Sequence, residues 1–447
     1  MSEISVSGGV SRRSTRQERI AYGRSMRKRF SRSKLGEVNA RKREFDPIAL
    51  LLEATRGRVP ALLPLKYKRM SASPFAFFRG AVSIMAADLA RADHTGLFVQ
   101  LCGDAHLQNL GCFETPDGRL VFDINDFDET IDGPWEWDVK RLAASIVLAG
   151  LESQHSKSAC GAAVSTFVSR YVDTMDALAN MPVLDAARHQ IHRLRKAQPI
   201  SAALKQAQRS TPQDLVQKYT ETDGRGGMRF KKIDSVLWRL QGKQRTKVLD
   251  SLALYRESLP PERLHLFGFF RAHDVAFKVV GTGSVGLRDY VVLMQGNGGK
   301  DPLFLQIKQE VASAYAPYLK HPAVAHQGVR VALGQRRLQP VSDLFLGWTR
   351  IEDQDFLVRQ LNDHKGSIDL NQLRGPGLTM LAGIAGELLA RGHARSGDPL
   401  AIATYIGPAS KVQSALVNYG LEYAGVTQAD FEAFTNAIKR DRIKIAA

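Results

Sequence analysis

A stretch of acidic residues between Leu101 and Asp138 constrains this chain more than any other feature of its sequence. The stretch contains GDAHLQN, VFDINDFDE and GPWEWD, and seven of the sixteen positions from Asp123 to Asp138 are acidic. The whole chain nevertheless carries a formal net charge of +17. Crowded carboxylates repel one another, so such a cluster usually persists because a cation or a proton-transfer task requires it. The stretch therefore predicts a magnesium-nucleotide site.

Local patterns predict where the acidic side chains lie. The run GLFVQLCGD is typical of a short buried strand that ends at a glycine, so Asp104 begins the following loop. A PDG turn then predicts a hairpin, whose second strand, RLVFDI, leads to Asp126 and Asp128. Phosphoryl transfer needs a carboxylate beside the attacking hydroxyl and oxygen ligands for magnesium. Asp104, Asn109 and Asp126 have the residue types and the spacing for these tasks.

The GDAHLQN segment resembles the catalytic loop of the aminoglycoside phosphotransferase and protein-kinase-like superfamily. In that pattern a His follows the Asp by two positions and an Asn follows it by five, and Asp104, His106 and Asn109 match it. The resemblance implies catalytic roles for these three residues. The alternatives are that the segment is an ordinary turn beside a solvated acidic loop, and that His106 only packs the loop.

INDFDE resembles the metal-binding segment of the same superfamily, which implies that Asn109, Asp126 and Asp128 hold magnesium. GPWEWDVKRLA resembles the helix that follows, whose Asp braces the catalytic loop, and this role falls on Asp138. One departure precedes the loop, where Cys102 stands in place of the His that many relatives carry.

A glycine-rich segment far downstream supplies the second half of a nucleotide site. FKVVGTGSVGLRDYVVLMQG predicts two strands joined by a turn that contains Gly281, Gly283, Ser284 and Gly286. β-branched residues resume directly after the glycines, as in the hairpin that covers ATP phosphates in kinases, whereas a Rossmann motif leads into a helix. The strand PLFLQIKQE then brings Lys308. The turn and the lysine are predicted to bind ATP, with an ordinary hairpin as the alternative.

Two further charged residues are assigned to the nucleotide site. Kinases pair the strand lysine with a Glu, and Glu310 is the candidate here because it lies two residues after Lys308 on the same strand face. Arg79 in SPFAFFRGA is placed at the start of a helix, where N–H groups favour anions, and is expected to reach a phosphate. The alternative for Arg79 is a structural ion pair with Asp104 or Asp128.

The order of these motifs predicts an α+β, bilobal protein-kinase-like fold with circular permutation, because the catalytic and metal segments precede the glycine turn and the lysine. The predicted division is a basic arm over 1–45, a first helical part over 46–254, a β-rich nucleotide-binding lobe over 255–365 and a C-terminal helical part over 366–447. Residues 356–365 are interpreted as a strand and hinge.

The chain as a whole resembles the bacterial domain-of-unknown-function family 2252 over roughly residues 20 to 435. The resemblance is carried by SPFAFFRGA, GDAHLQN, VGTGSVG, LQIKQE, GQRRLQ and GELLARGHARSGD. It supports the fold and leaves the reaction open. The HARSGD segment is interpreted as the end of a helix that approaches the site.

Composition sets the remaining limits. The chain is 447 residues long and 44% hydrophobic, which suffices for two lobes, and no apolar run is long enough for a membrane helix. Its three cysteines form neither a metal pattern nor a disulfide framework, so a cytoplasmic location is expected. The first 44 residues hold thirteen Lys or Arg against four Glu. This arm either binds nucleic acid or an acidic surface, or is a solvated tail that docks on the acidic loop.

Three functions remain open at this stage. The favoured one is an ATP-dependent phosphotransferase that uses magnesium and acts on a hydroxyl of a small-molecule or protein acceptor. The second is a nucleotidyltransferase on the same fold. The third is a non-catalytic nucleotide-binding regulator that uses the basic arm to bind nucleic acid. The sequence does not identify the acceptor.

Overall fold

The computed structural model describes residues 14–189, 198–209, 212–222, 227–279, 281–298, 301–320, 324–361, 366–370 and 373–446. The α-helices within these ranges are α1 (Arg16–Arg29), α2 (Pro47–Glu53), α3 (Leu63–Met70), α4 (Pro74–Gly80), α5 (Val82–Ala90), α6 (Trp135–Glu152), α7 (Lys157–Asn180), α8 (Val183–Arg188), α9 (Gln198–Arg209), α10 (Pro212–Tyr219), α11 (Gly242–Glu257), α12 (Pro261–Phe267), α13 (Gln327–Leu338), α14 (Gly377–Ser396), α15 (Pro399–Ile406) and α16 (Ala409–Lys439). The strands are β1 (Phe98–Leu101), β2 (Leu110–Glu114), β3 (Leu120–Ile124), β4 (Ile131–Pro134), β5 (Thr220–Thr222), β6 (Met228–Phe230), β7 (Leu237–Arg239), β8 (Arg271–Lys278), β9 (Asp289–Gln295), β10 (Pro302–Glu310), β11 (Gly347–Ile351), β12 (Gln354–Gln360) and β13 (Gly366–Ser367).

The helical part of the molecule is built around α6. This helix is apolar on all sides over LAASIVLAG and is buried over most of its length, as expected for a helix enclosed by others. Helices α7, α14 and α16 surround it. Helices α7 and α14 approach closely because Gly386 has no side chain, and a Cβ there would collide with the Phe167 carbonyl oxygen. Helices α6 and α7, from the first half of the chain, therefore form one core with α14 and α16, from its C-terminal part.

The β-rich part is a six-stranded antiparallel sheet in the order β11-β12-β10-β9-β8-β7. One face packs against α11 and α12 through Val248, Tyr255 and Phe267. The other face packs against α10 and the β5–β6 hairpin through Leu215 and Phe230. Strand β7 and most of α11 precede residue 255, the position at which the sequence analysis started this lobe.

Smaller sheets hold the predicted catalytic and metal segments. Strand β1 pairs with β4, and the β2–β3 hairpin forms around the predicted PDG turn. Strand β13 pairs with β2, so the chain returns from the large sheet to the helical part at this point. The predicted strand within 356–365 is present as the second half of β12, whereas 362–365 lie outside the described residues.

The basic arm forms a docked helix over its described part. Helix α1 begins at a capping box and packs against α15. Arg27 and Arg32 donate to the carbonyl oxygens of Tyr405 (2.8 Å) and Ile406 (2.7 Å), which satisfies groups that a helix end leaves free. The expectation of a solvated tail on the acidic loop is therefore wrong for residues 14–45, although residues 1–13 lie outside the described ranges. None of the described helices combines the length and apolarity that a membrane span needs.

Candidate active site

Ten of the twelve predicted site residues line a cleft of about 360 Å³, whereas Lys308 and Gly286 do not line it. Its lining combines helices α2–α5, the loop after β1, the segment after β3 and the glycine turn between β8 and β9. This volume is typical of small-molecule sites, which span roughly 300–1,000 Å³. Asp104, Asn109, Asp126 and Ser284 all line this one cleft.

The loop after β1 is held from two sides. The Asp138 carboxylate accepts N–H groups from Cys102 (2.7 Å) and Gly103 (3.0 Å), so it braces the loop as predicted. Gly103 has a φ of +84°, and a Cβ there would collide with the Glu129 carbonyl group. On the other side, the Asn109 Nδ2 donates to the Asp104 carbonyl oxygen at 2.9 Å. These contacts define the path of the loop between the predicted base and the predicted metal ligand.

Arg141 orients the Asp104 side chain. Its Nε and Nη2 donate to Asp104 Oδ1 at 2.8 and 2.5 Å. The other oxygen, Oδ2, lies 3.6 Å from the His106 Nε2. Burial lowers the pKa of His106 to about 3, so its imidazole is neutral near pH 7, and its ring packs edge-on against Phe75. His106 therefore acts as a neutral neighbour of Asp104 in this structure.

The acidic segment after β3 is tied to the glycine turn and to β10. Asp128 Oδ2 forms an ion pair with the Lys308 ammonium and accepts a hydrogen bond from Ser284 Oγ at 3.0 Å. Burial alone would raise the pKa of Asp128, but the Lys308 charge outweighs it and lowers this pKa to about 2. Residues 180 positions apart in the chain are thus in direct contact.

The predicted pairing of Lys308 with Glu310 is wrong. The ammonium bonds to the carboxylate of Asp128, which lies in the loop between β3 and β4, whereas Glu310 lies on the same strand as Lys308 and lines the cleft. Glu310 Oε1 is buried without a hydrogen bond, and burial raises the pKa of this carboxyl well above its usual range. The same ion pair occupies one oxygen of Asp128, which was predicted to bind metal.

Asp126 and Asn109 carry side-chain oxygens of the kind that bind magnesium. Burial and the neighbouring Asp128 charge raise the pKa of Asp126 to about 6, and this rise outweighs the opposite effect of the Lys308 and Arg359 charges. Those residues contain no group of three or more His, Cys, Asp or Glu arranged around a metal position. Magnesium often relies on one or two carboxylates together with substrate phosphates, so this oxygen-only set fits magnesium carried by a nucleotide.

Arg79 lies elsewhere than predicted. It occupies the last turn of α4, a seven-residue helix, rather than the start of a helix. In the described chain it forms no ion pair with Asp104 or Asp128, since Arg141 and Lys308 already occupy those carboxylates. Its Nε is buried without a hydrogen bond, and the side chain lines the cleft.

Several basic residues were not predicted from the sequence, and of these Arg58 and Lys66 line the cleft whereas Arg69 and Arg330 do not. Arg58, Lys66 and Arg69 donate to carbonyl oxygens of the glycine turn, and no sequence motif marks them. Arg330 donates to the Asp128 carbonyl oxygen at 2.8 Å. Arg141 could have been found, because it lies three residues after Asp138 on the same face of α6.

The HARSGD segment contacts the residue that holds the loop after β1. The His393 Nε2 lies 3.3 Å from Asp138, while its Nδ1 is 2.8 Å from the Tyr171 hydroxyl. Asp398 instead caps α15 and pairs with Arg19 at 2.6 Å. The segment therefore contacts the residue that braces the loop and does not line the cleft.

Comparison with known proteins yields one match. A family model described as an uncharacterized protein conserved in bacteria matches residues 58–437. No curated protein and no solved structure matches the chain. The matched range extends from Arg58 through the glycine turn to helix α16, so it contains both halves of the candidate site.

Proposed function

The chain belongs to this bacterial domain-of-unknown-function family 2252, and from this premise we propose that it is an ATP-dependent phosphotransferase. The observation that carries the proposal is the contact of Asp128 with Lys308 and Ser284. It joins an acidic loop, a strand lysine and a glycine turn, which are the elements that phosphoryl transfer from a nucleotide requires. The proposed acceptor is a hydroxyl group of a small molecule or a protein.

The proposed fold is a circularly permuted, bilobal kinase-like one. Its support is that α7 packs against α14 although the six-stranded sheet lies between them in the chain. A helical lobe that is split around a β-rich lobe has this property. The glycine turn joins two neighbouring antiparallel strands, and Lys308 lies on the next strand of the same sheet.

Asp104 is the proposed general base. Arg141 occupies Oδ1, which leaves Oδ2 to accept the proton of the acceptor hydroxyl. A positioned base of this kind typically contributes roughly 10²- to 10⁴-fold in rate. The brace from Asp138 to the loop keeps this carboxylate at a defined place beside the cleft.

Asp126 and Asn109 would hold magnesium, and the ion would neutralise charge on the phosphates of a bound nucleotide. Lys308 would interact with the same phosphates while Asp128 remains its counter-ion. Gly281 and Gly283 would let the turn approach the phosphates. A Cβ at either position would make only ordinary contacts, at 3.7 Å or more, and both glycines line the cleft.

The products of ATP turnover test this function. The protein is incubated with magnesium, ATP labelled at the α- or γ-phosphate and a fractionated small-molecule extract, and products are separated. We expect ADP and a γ-labelled acceptor. Asp104→Asn should abolish the labelled product, whereas Asp117→Asn, in the exposed β2–β3 turn, should not. AMP with an α-labelled acceptor would contradict phosphotransfer in favour of nucleotidyl transfer, and a lack of magnesium-dependent nucleotide binding would exclude both.

A further inference from the structure

Three cations from the N-terminal region line the cleft beside the predicted base. They are Arg58, which precedes α3, Lys66 in α3 and Arg79 in α4, and we call them the cation group. None of them belongs to the sheet or to the acidic segment. Lys66 is only 2% exposed, so its ammonium lies inside the protein rather than in solvent.

The hydrogen bonds of Lys66 and Arg58 go to uncharged carbonyl oxygens. The Lys66 Nζ donates to the carbonyl oxygens of Thr282 (3.2 Å) and Gly283 (2.9 Å), and Arg58 Nη1 donates to Gly283 (2.8 Å) and Val285 (2.7 Å). Neither forms an ion pair within the described residues. For the buried Lys66, a charge without a counter-ion costs several kcal/mol. An ammonium has three donors and a guanidinium five, so both side chains retain N–H groups for another acceptor.

Arg79 retains still more donors. It makes no side-chain hydrogen bond within the described part of the chain, and its guanidinium carbon lies 6.0 Å from the centre of the Phe75 ring. The Nε of Arg79 is buried without a partner, although buried polar groups are normally hydrogen-bonded. Its carbonyl oxygen lies 3.7 Å from an ideal Cβ position on Gly283, so Arg79 adjoins the same turn as Lys66.

Lys66 and Arg79 also share the cleft lining with Asp104. Burial lowers the pKa of both Lys66 and Arg79, and the Asp104 charge acts on both in the opposite direction. An anion bound by these cations would therefore lie near the carboxylate that takes the acceptor proton. Lys308, the glycine turn and magnesium are already assigned to the nucleotide phosphates, whereas Lys66 and Arg58 contact that turn through its carbonyl oxygens.

We propose that Arg58, Lys66 and Arg79 form an oxyanion-binding subsite for the acceptor. The substrate class is then a hydroxyl compound that carries a phosphate or carboxylate group. This assignment rests on the proposed phosphotransferase function. In it Arg79 binds the acceptor instead of the nucleotide phosphate that was predicted from the sequence. A guanidinium and an ammonium together match the charge and the several acceptor lone pairs of such a group.

Calorimetric titration with inorganic phosphate tests the subsite. Wild-type protein, Lys66→Met and Arg79→Gln are titrated alone and with a saturating, non-hydrolysable ATP analogue and magnesium. Arg79→Gln should fold because it removes no observed hydrogen bond. Arg69→Met is the matched control, since Arg69 also donates to the glycine turn, at Gly281, but does not line the cleft.

We expect phosphate to bind wild-type protein in both conditions, with affinity reduced at least about 10-fold in Lys66→Met and Arg79→Gln and unchanged in Arg69→Met. Competition between phosphate and the analogue would overturn the acceptor assignment, because the cations would then serve the nucleotide. Wild-type protein that binds no phosphate, or variants that bind it equally well, would overturn the subsite itself.

Failure of the proposed function has a different signature. If the analogue does not bind but phosphate binding depends on Lys66 and Arg79, the phosphotransferase proposal fails and the oxyanion subsite stands. If both bind, turnover with matched acceptors completes the test. A phosphorylated sugar should be used at least about 10-fold more efficiently than the parent sugar, and Arg79→Gln should remove this preference. Equal use of both sugars would contradict the substrate class.

Discussion

Two buried charge clusters in this protein differ in how completely their acids are paired. In the core cluster, Arg43 donates to Asp88 at 2.7 and 2.5 Å and to Asp430 at 2.6 Å, and the Tyr423 hydroxyl donates to Asp88 at 2.7 Å. The second cluster, which we call the cleft cluster, comprises Asp104, Asp126, Asp128, Lys308 and Glu310. Its Lys308 pairs with Asp128 alone, and Asp126 and Glu310 have no such partner within the described residues.

This difference separates structural charge from charge that is available to a ligand. Each acid of the core cluster has a counter-charge or a hydrogen-bond donor, so the cluster joins the N-terminal segment, α5 and α16 and is largely buried. Unpaired buried carboxylates are costly and persist mainly where a function uses them. The cleft cluster is therefore expected to control activity more than stability, and the core cluster the reverse.

Asp104→Asn should have the largest effect. The amide preserves the shape beside Arg141 but cannot take a proton, so turnover should fall roughly 10²- to 10⁴-fold while nucleotide affinity changes little. Asp104→Ala is less suitable because it leaves Arg141, whose side chain is fully buried, without its carboxylate. Rates and calorimetric affinities measured side by side check the prediction. Wild-type turnover in the variant would make Asp104 structural.

Arg43→Ala should destabilise the protein by about 3–5 kcal/mol, because it leaves Asp88 and Asp430 buried without their cation. Chemical denaturation measures the change in unfolding free energy. Arg91→Ala provides the control, since Arg91 pairs with an exposed Glu44 and should cost less than about 1 kcal/mol. Equal effects of the two substitutions would remove the distinction between the clusters.

Asp126→Asn should weaken magnesium-dependent nucleotide binding about 10- to 100-fold, because a neutral amide is a poorer ligand for the ion. Binding without magnesium should not weaken, and the folded state should be as stable as wild type or more so. Calorimetry with and without magnesium checks both halves. An unchanged magnesium dependence would transfer the metal role to Asp128, because Asp123 is buried against Arg391 and does not line the cleft.

Glu310→Gln should have the smallest effect and should depend on pH. The pKa of Glu310 is raised on folding above its ordinary 4.5, so the folded state binds this proton more tightly. The protonated Glu310 carboxyl therefore stabilises the folded state fully below about pH 4.5. This contribution is lost as the pH rises through the raised pKa. The variant should gain about 1 kcal/mol over wild type at pH 8 and nothing at pH 4. A difference that is independent of pH would contradict the buried, unpaired state of Glu310.

The local elements of the site could be predicted from sequence. The strand before Asp104, the PDG hairpin and the glycine turn between β8 and β9 are all present. Each depends on apolar alternation and on turn residues within about ten positions, and such signals are written in the chain itself. The start of the β-rich lobe was harder to predict from sequence, because β7 is three residues long and carries little of this pattern.

The partners of the charged side chains were decided only by the tertiary structure. The sequence determined that an acidic segment, a strand lysine and a glycine turn are present, and in which local elements they lie. It did not determine that Lys308 pairs with Asp128, that Arg141 holds Asp104, or that Lys66 enters the cleft. These contacts join residues that are distant in the chain, and they depend on how helices and sheets pack. The physical reason is that charge acts through space, whereas the patterns of a sequence report only on neighbours along the chain.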